Sequence, residues 1–265
     1  MSKRRAGQRP SWALLVMAGI AAVFFALPLL GLIGRASWST LGRDLTSAES
    51  LSAFRLSLIC SVAAAGFSIV LGFPLAWVLA RVRFRARPLI RGLVLLPLVL
   101  PPVVGGVALL TAFSRRGLAG SLLYEWAGIQ LTYSTAGAVL AETFVALPFF
   151  VITVEAGLRA VDSRYEEVAA TLGASRWHCF RHVTLPLVAP SVVAGGVLAW
   201  ARALGEFGAT ITFAGNVEGR TQTLPLAVYL FLDSRPDAAI ALSLVLLLAA
   251  LAVIVLLRER WMGEA

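Results

Sequence analysis

Lysine is almost missing from this chain. Lys3 is the only one, and the other 22 of the 23 basic residues are arginine. A phosphate-binding P-loop needs a lysine followed by Ser or Thr. Lys3 is followed by Arg4, so the chain has no such loop and cannot hydrolyse ATP by that device. Histidine is nearly as scarce. His178 and His182 are the only two, four residues apart in one loop beside Cys179. Two ligands at helical spacing are too few for a closed metal site. No HExxH run and no paired-aspartate motif falls in an apolar stretch, so an intramembrane enzyme would lack its catalytic constellation. The two cysteines, Cys60 in an apolar run and Cys179 in a polar one, have no CxxC spacing and imply no disulfide framework. Charged residues make up 14% of the chain, against roughly 25% in soluble domains.

What the chain has instead is hydrocarbon. Hydrophobic residues make up 59% of it, and the charges gather in short stretches between long apolar runs. That pattern belongs to a chain whose solvent is lipid. A spanning helix needs about 20 mostly apolar residues. Six stretches qualify: 12–34, 54–80, 92–113, 136–158, 188–213 and 237–257. Prolines and glycines inside the third, Pro97, Pro101, Pro102, Gly105 and Gly106, are tolerated where neighbouring helices re-satisfy the backbone. The first follows Lys3, Arg4, Arg5 and Arg9. It is longer than the roughly 7–15 residues of a signal-peptide core, so it reads as a retained span. The expected fold class is an all-α integral membrane protein with six transmembrane helices.

The net charge of +9 does not point to nucleic acid, because the basic residues flank the apolar spans. With the N-terminus inside, fifteen basic residues fall on the cytoplasmic side, seven outside, and Arg202 within a span. The positive-inside rule then places both termini in the cytoplasm. Arg81, Arg83, Arg85 and Arg87 alternate with apolar residues after the second span and read as an anchor at anionic lipid.

The longest polar segment, 159–186, lies on the cytoplasmic side in this topology. Ser163 and Glu166 fit a capping box, so a helix should start near Arg164. Tyr165, Val168, Ala169 and Leu172 then form one apolar face. Gly173 suits a left-handed stop, and Ser175 could start a second short helix running towards Leu185-Pro186. A helix this short is marginal alone in water, so its apolar face must dock on something: the membrane surface, its own bundle or a partner.

The spacing of this loop resembles the EAA motif of ABC importer permeases. Glu167-Val168-Ala169, three residues, Gly173, nine residues, and Val183-Thr-Leu185-Pro186 match that pattern, with Val168 where the family has alanine. The resemblance extends over about 51–257 and implies a type I ABC importer permease fold. Residues 1–50 would hold the cytoplasmic N-terminus, the first span and an outer loop, and 258–265 a cytoplasmic tail. It further implies that Glu167, Ala169, Ala170, Gly173, Leu185 and Pro186 make or shape the contact with a separate ATP-binding subunit. ATP and magnesium would sit on that partner, with no cofactor on this chain. The other partners implied are an extracytoplasmic substrate-binding protein, a second copy of the chain and membrane lipid. The membrane would be bacterial or archaeal.

Arg202 and Glu206 lie four apart inside the fifth span. Each charge costs about 2.5–3.5 kcal/mol near mid-membrane on insertion scales, so the two should face protein or water and can pair with each other. They read either as flanking a translocation route or as a structural ion pair. Leu96–Val104 and the run from Ala201 to Asn216, continued by Gly219-Arg-Thr-Gln-Thr-Leu-Pro225, resemble the molybdate branch of the permease family, with tungstate and sulfate permeases close to it. A path for a tetrahedral dianion would use weak, dispersed donors such as Thr210, Thr212 and Asn216. Glu142, an acid in the fourth span, keeps a second class open, a carrier driven by protons. Glu155 is expected near the cytoplasmic interface.

Overall fold

The computed structural model describes residues 11–162 and 164–261, helical throughout and without strands among those residues. In chain order the helices are α1 (Trp12–Gly34), α2 (Leu41–Leu45), α3 (Ala48–Arg81), α4 (Arg87–Val99) and α5 (Pro102–Phe113). They continue with α6 (Gly120–Ala127), α7 (Thr135–Ala160), α8 (Arg164–Thr171) and α9 (Arg176–Cys179). A π-helical turn over Phe180–Thr184 leads into α10 (Leu185–Leu204), α11 (Gly208–Phe213), α12 (Leu224–Ser234) and α13 (Pro236–Trp261).

Among the described residues five helices are long and apolar enough to cross a membrane: α1, α3, α7, the segment Arg176–Leu204 and α13. Four of them fall on the spans expected near 12–34, 54–80, 136–158 and 237–257. The expected third span, 92–113, is two shorter helices. Leu100 and Pro101 are extended between α4 and α5. Pro101 and Pro102 carry no N–H, and the residue before a proline avoids the α region, so the ladder stops there. The expected fifth span, 188–213, begins earlier, at Arg176, and its straight part ends at Leu204. After Gly205–Phe207 the chain resumes as α11.

The centre of the bundle is α7, packed between α3 and α10. Small residues allow this. A Cβ on Gly72 of α3 would lie 2.6 Å from Phe150 Cδ1 of α7. One on Gly157 of α7 would lie 2.5 Å from Ser191 Cβ of α10. One on Gly195 would meet the backbone oxygen of Phe150 at 3.3 Å. Phe150, with Leu79, Val154, Leu158 and Val188, fills the resulting core. Lipid tails are as apolar as these side chains, so association rests on such close van der Waals fits rather than on hydrophobic exclusion. Outside the core, large apolar side chains such as Phe24, Phe25, Val70 and Val99 are exposed, as a lipid-facing surface requires. Helix α1 buries none of its residues and packs lightly against α13.

Polar hydrogen bonds also tie elements across this bundle. Trp200 Nε1 donates to Ser61 Oγ at 3.1 Å, and the Leu224 N–H donates to Ser57 Oγ at 2.6 Å. The second fixes the start of α12 against α3. The broken helices meet as well: Gly208 of α11 lies against Pro102, and Gly106 of α5 against Thr212 and Ala209.

The contact at Gly106 gives a test of this packing. A Cβ there would sit 2.6 Å from Thr212 Cβ and 3.0 Å from the Ala209 carbonyl oxygen. Gly106→Val should destabilise the bundle by about 1–3 kcal/mol, read as a lower melting temperature in detergent. Gly92→Ala, with no atom within 4 Å of the new methyl group and a better helix former in place of glycine, should not lower it.

Candidate functional site

The loop between α7 and α10 forms one end of the bundle. Helix α8 ends as its sequence requires. Gly173 takes φ +86°, its N–H bonds the Ala170 carbonyl and the Ala174 N–H bonds that of Ala169. This is the paired closure of a Schellman stop. Ser175 caps α9 by accepting from the His178 N–H at 3.2 Å. The second helix does not stop at Leu185-Pro186, however. It passes through the π turn, where the Leu185 N–H reaches back to the Phe180 carbonyl, straight into α10. Leu185 and Pro186 are therefore the first residues of a spanning helix.

None of the residues of α8 is buried. Tyr165, Val168 and Leu172, the expected apolar face, are 60%, 58% and 83% exposed. Glu167 and Ala170 are exposed and Ala169 half-buried. The face is therefore presented outward rather than packed on its own bundle. Ser163, the expected cap, lies outside the described residues. Glu166, its expected capping-box partner, has another use. Its Oε1 accepts from Arg81 Nη2 at 3.2 Å and from Thr184 Oγ1 at 2.9 Å. Cys179 donates its thiol to the Glu166 carbonyl at 3.7 Å. Beside it Phe180 packs against Phe73, Trp77 and Trp177. Further in, Glu155 is 3% exposed and paired with both Arg159 and, at 3.5 Å, Arg91. The i,i+4 spacing of Glu155 and Arg159 was the available sequence signal for that pair.

The second constellation sits at the break between α10 and α11. Arg202 Nη1 and Glu206 Oε2 lie 2.5 Å apart, with Glu206 1% and Arg202 27% exposed. Glu206 Oε1 also accepts the Ala209 N–H at 2.8 Å. One carboxylate therefore neutralises the arginine and satisfies a backbone donor left open by the helix break. Thr210, also fully buried, has no hydrogen-bond partner for its hydroxyl among the described residues. Thr212 donates to the Gly208 carbonyl at 2.8 Å, and Asn216 Oδ1 accepts from Gln222 Nε2 at 3.1 Å. The five residues thus lie along one short stretch, but Thr210 is enclosed and Thr212 serves the helix backbone. Glu142, the acid that keeps a proton-driven carrier open in the sequence, is buried in α7 at 1% exposure, and its Oε2 has no partner among the described residues.

Comparison with known proteins agrees with this architecture. Residues 68–263 match the family described as the binding-protein-dependent transport system inner membrane component. The molybdenum transport system permease protein ModB of Mycobacterium tuberculosis is 51% identical over 92% of this chain and 92% of its own. ModB of Escherichia coli is 44% identical, covering 79% of this chain and 91% of its own. The sulfate transport system permease protein CysT of Escherichia coli is 38% identical over 85% of this chain and 82% of its own. Among solved structures, a bacterial ABC transporter involved in the import of the acidic polysaccharide alginate superimposes with a TM-score of 0.70 at 20% identity. That match covers 96% of this chain and 95% of the other. A glycine-stopped helix at one end, two broken helices meeting inside the bundle, and matches that run nearly the whole length have one common reading: this chain belongs to the family of binding-protein-dependent transport system inner membrane components.

Proposed function

We propose that the chain is the membrane-spanning subunit of an ATP-driven importer of molybdate. The cargo reading rests on the relatives named ModB, which are 44–51% identical; the sulfate permease CysT and a probable molybdenum permease of Haloferax volcanii both stand at 38%. The coupling reading rests on one observation above all. Helix α8 carries the EAA spacing and turns Tyr165, Val168 and Leu172 away from its own bundle. An apolar face on so short a helix needs a partner. A separate ATP-binding subunit, holding ATP and magnesium, would receive α8 through Glu167, Ala169, Ala170 and Gly173, with Leu185 and Pro186 passing the movement into α10. The end bearing α8 is then cytoplasmic, as are both termini, and an extracytoplasmic binding protein delivers the anion to the other end. The permease core spans 51–257.

A second copy of the chain completes the path. Helix α1 is apolar, buries none of its residues and packs lightly against α13, so it is free to lie against lipid or a neighbouring subunit. The path itself would run past Arg202, Glu206, Thr210, Thr212 and Asn216. Arg202 suits this because its guanidinium is partly exposed while its partner is buried, leaving donors for a passing dianion. Binding of ATP would draw two copies of α8 together and open the path outward. Hydrolysis would reset it.

Proteoliposomes containing this chain, its ATP-binding subunit and the binding protein should take up labelled molybdate only with ATP. Tungstate should compete and sulfate should not. Equal competition by sulfate would refute the cargo, and uptake driven by a proton gradient without ATP would refute the importer. At the break, Arg202→Ala should cost about 3–5 kcal/mol by leaving Glu206 buried without its partner, and Arg202→Ala with Glu206→Ala should recover part of that. Arg202→Lys should keep the melting temperature and lower uptake. Unchanged uptake with Lys would assign the pair to packing alone.

A further inference from the structure

We infer that Glu166 is a positioning residue that makes α8 move as one piece with α3 and α10, so that motion imposed on α8 reaches the membrane. This rests on the importer reading above and adds to it a residue outside the docking face.

The need for such a link follows from the packing. Helix α8 has no buried residue, so hydrocarbon contact does not hold it to the bundle. A cleft of about 290 Å³ separates its inner side from the spans, lined in part by Trp77, Ala170, Phe180 and Thr184. Glu166 stands at this cleft and bridges it. Its Oε1 takes one hydrogen bond from Arg81, the last residue of α3, and one from Thr184, the last residue of the π turn. Arg81 also reaches the Val161 carbonyl at 3.5 Å, just ahead of α8. The Glu166 backbone carbonyl accepts the thiol of Cys179 on α9.

The partners are well placed to transmit force. Thr184 is 1% exposed and directly precedes α10, the helix that carries Arg202. Arg81 ends α3, which packs on α7 and α10. A carboxylate bonded to both cannot shift without pulling two spans. Hydrogen bonds to a charged group are also stronger and shorter than neutral ones. Glu167, one residue on, lies about 100° round the helix and is exposed, so the neighbouring acids point in different directions.

The experiment uses the assembled complex in proteoliposomes and reads molybdate imported per ATP hydrolysed. A merely structural residue would lower both rates together and leave the ratio alone. Glu166→Gln and Thr184→Val should each lower the ratio, Glu166→Gln by about tenfold given the usual strength of a charged hydrogen bond, while the ATP-binding subunit still co-purifies. Arg81→Glu combined with Glu166→Arg should restore most of it. An unchanged ratio in both single variants would overturn the proposal. So would loss of the ATP-binding subunit from the Glu166→Gln complex, which would place Glu166 on the docking face. If the unaltered complex shows no ATP-dependent uptake, the importer reading fails first, and that result is distinct from a variant whose ATP hydrolysis continues without transport.

Discussion

Every backbone donor inside a bilayer must find its acceptor within the protein, and the breaks in this bundle obey that constraint in different ways. At Leu100–Pro102 the chain escapes it by composition, because two consecutive prolines bring no N–H to satisfy. At Gly205–Phe207 it is met in part by a side chain, with Glu206 accepting the N–H of Ala209 in the first turn of α11. A charge is an expensive cap in hydrocarbon, which is why Arg202 stands one turn back to neutralise it. The ion pair is thus built into the break, because the carboxylate that pairs with Arg202 also serves a backbone donor there.

The two ends of this machine are built on different physics. Around α7, glycines bring helices so close that a single methyl group would collide, and specificity is steric. Around α8, almost nothing packs, and position is set by hydrogen bonds: a glycine-closed helix end, a serine cap, and a carboxylate shared between an arginine and a threonine. Steric contacts hold a core rigid, while directed hydrogen bonds tie a surface element to the spans beneath it. A part that must be pushed by another protein is well served by the second kind.

Much of this was legible in the sequence, and the limits are instructive. Long apolar runs locate α1, α3, α7 and α13 because hydrophobicity over some 20 residues is a strong signal. Gly173 announced its left-handed stop because few other residues tolerate that backbone. The Arg202–Glu206 pair followed from spacing alone. The interruptions at Leu100–Pro101 and at Gly205–Phe207 did not, because hydropathy averages over a break without registering it. Nor did the role of Glu166, since a capping box and a tertiary bridge use the same residue type, and the bridge depends on Arg81, which lies 85 positions earlier in the chain. The continuity of α9 with α10 was hidden for a similar reason: Leu185-Pro186 reads as a helix start, and proline in a first turn does not reveal that a π turn precedes it.

That π turn sets an angular phase. Each residue in an α-helix advances the chain by about 100°, and a π turn inserts one residue beyond the α repeat. The face that α10 shows to the interior is therefore fixed relative to α9 by the length of Phe180–Thr184. Losing one residue there would rotate everything downstream as a unit, carrying Arg202 and the small residues that fit against α7 away from their partners. The spacing between Gly173 and Leu185-Pro186 is thus under geometric constraint, and an insertion within it would cost more than a substitution.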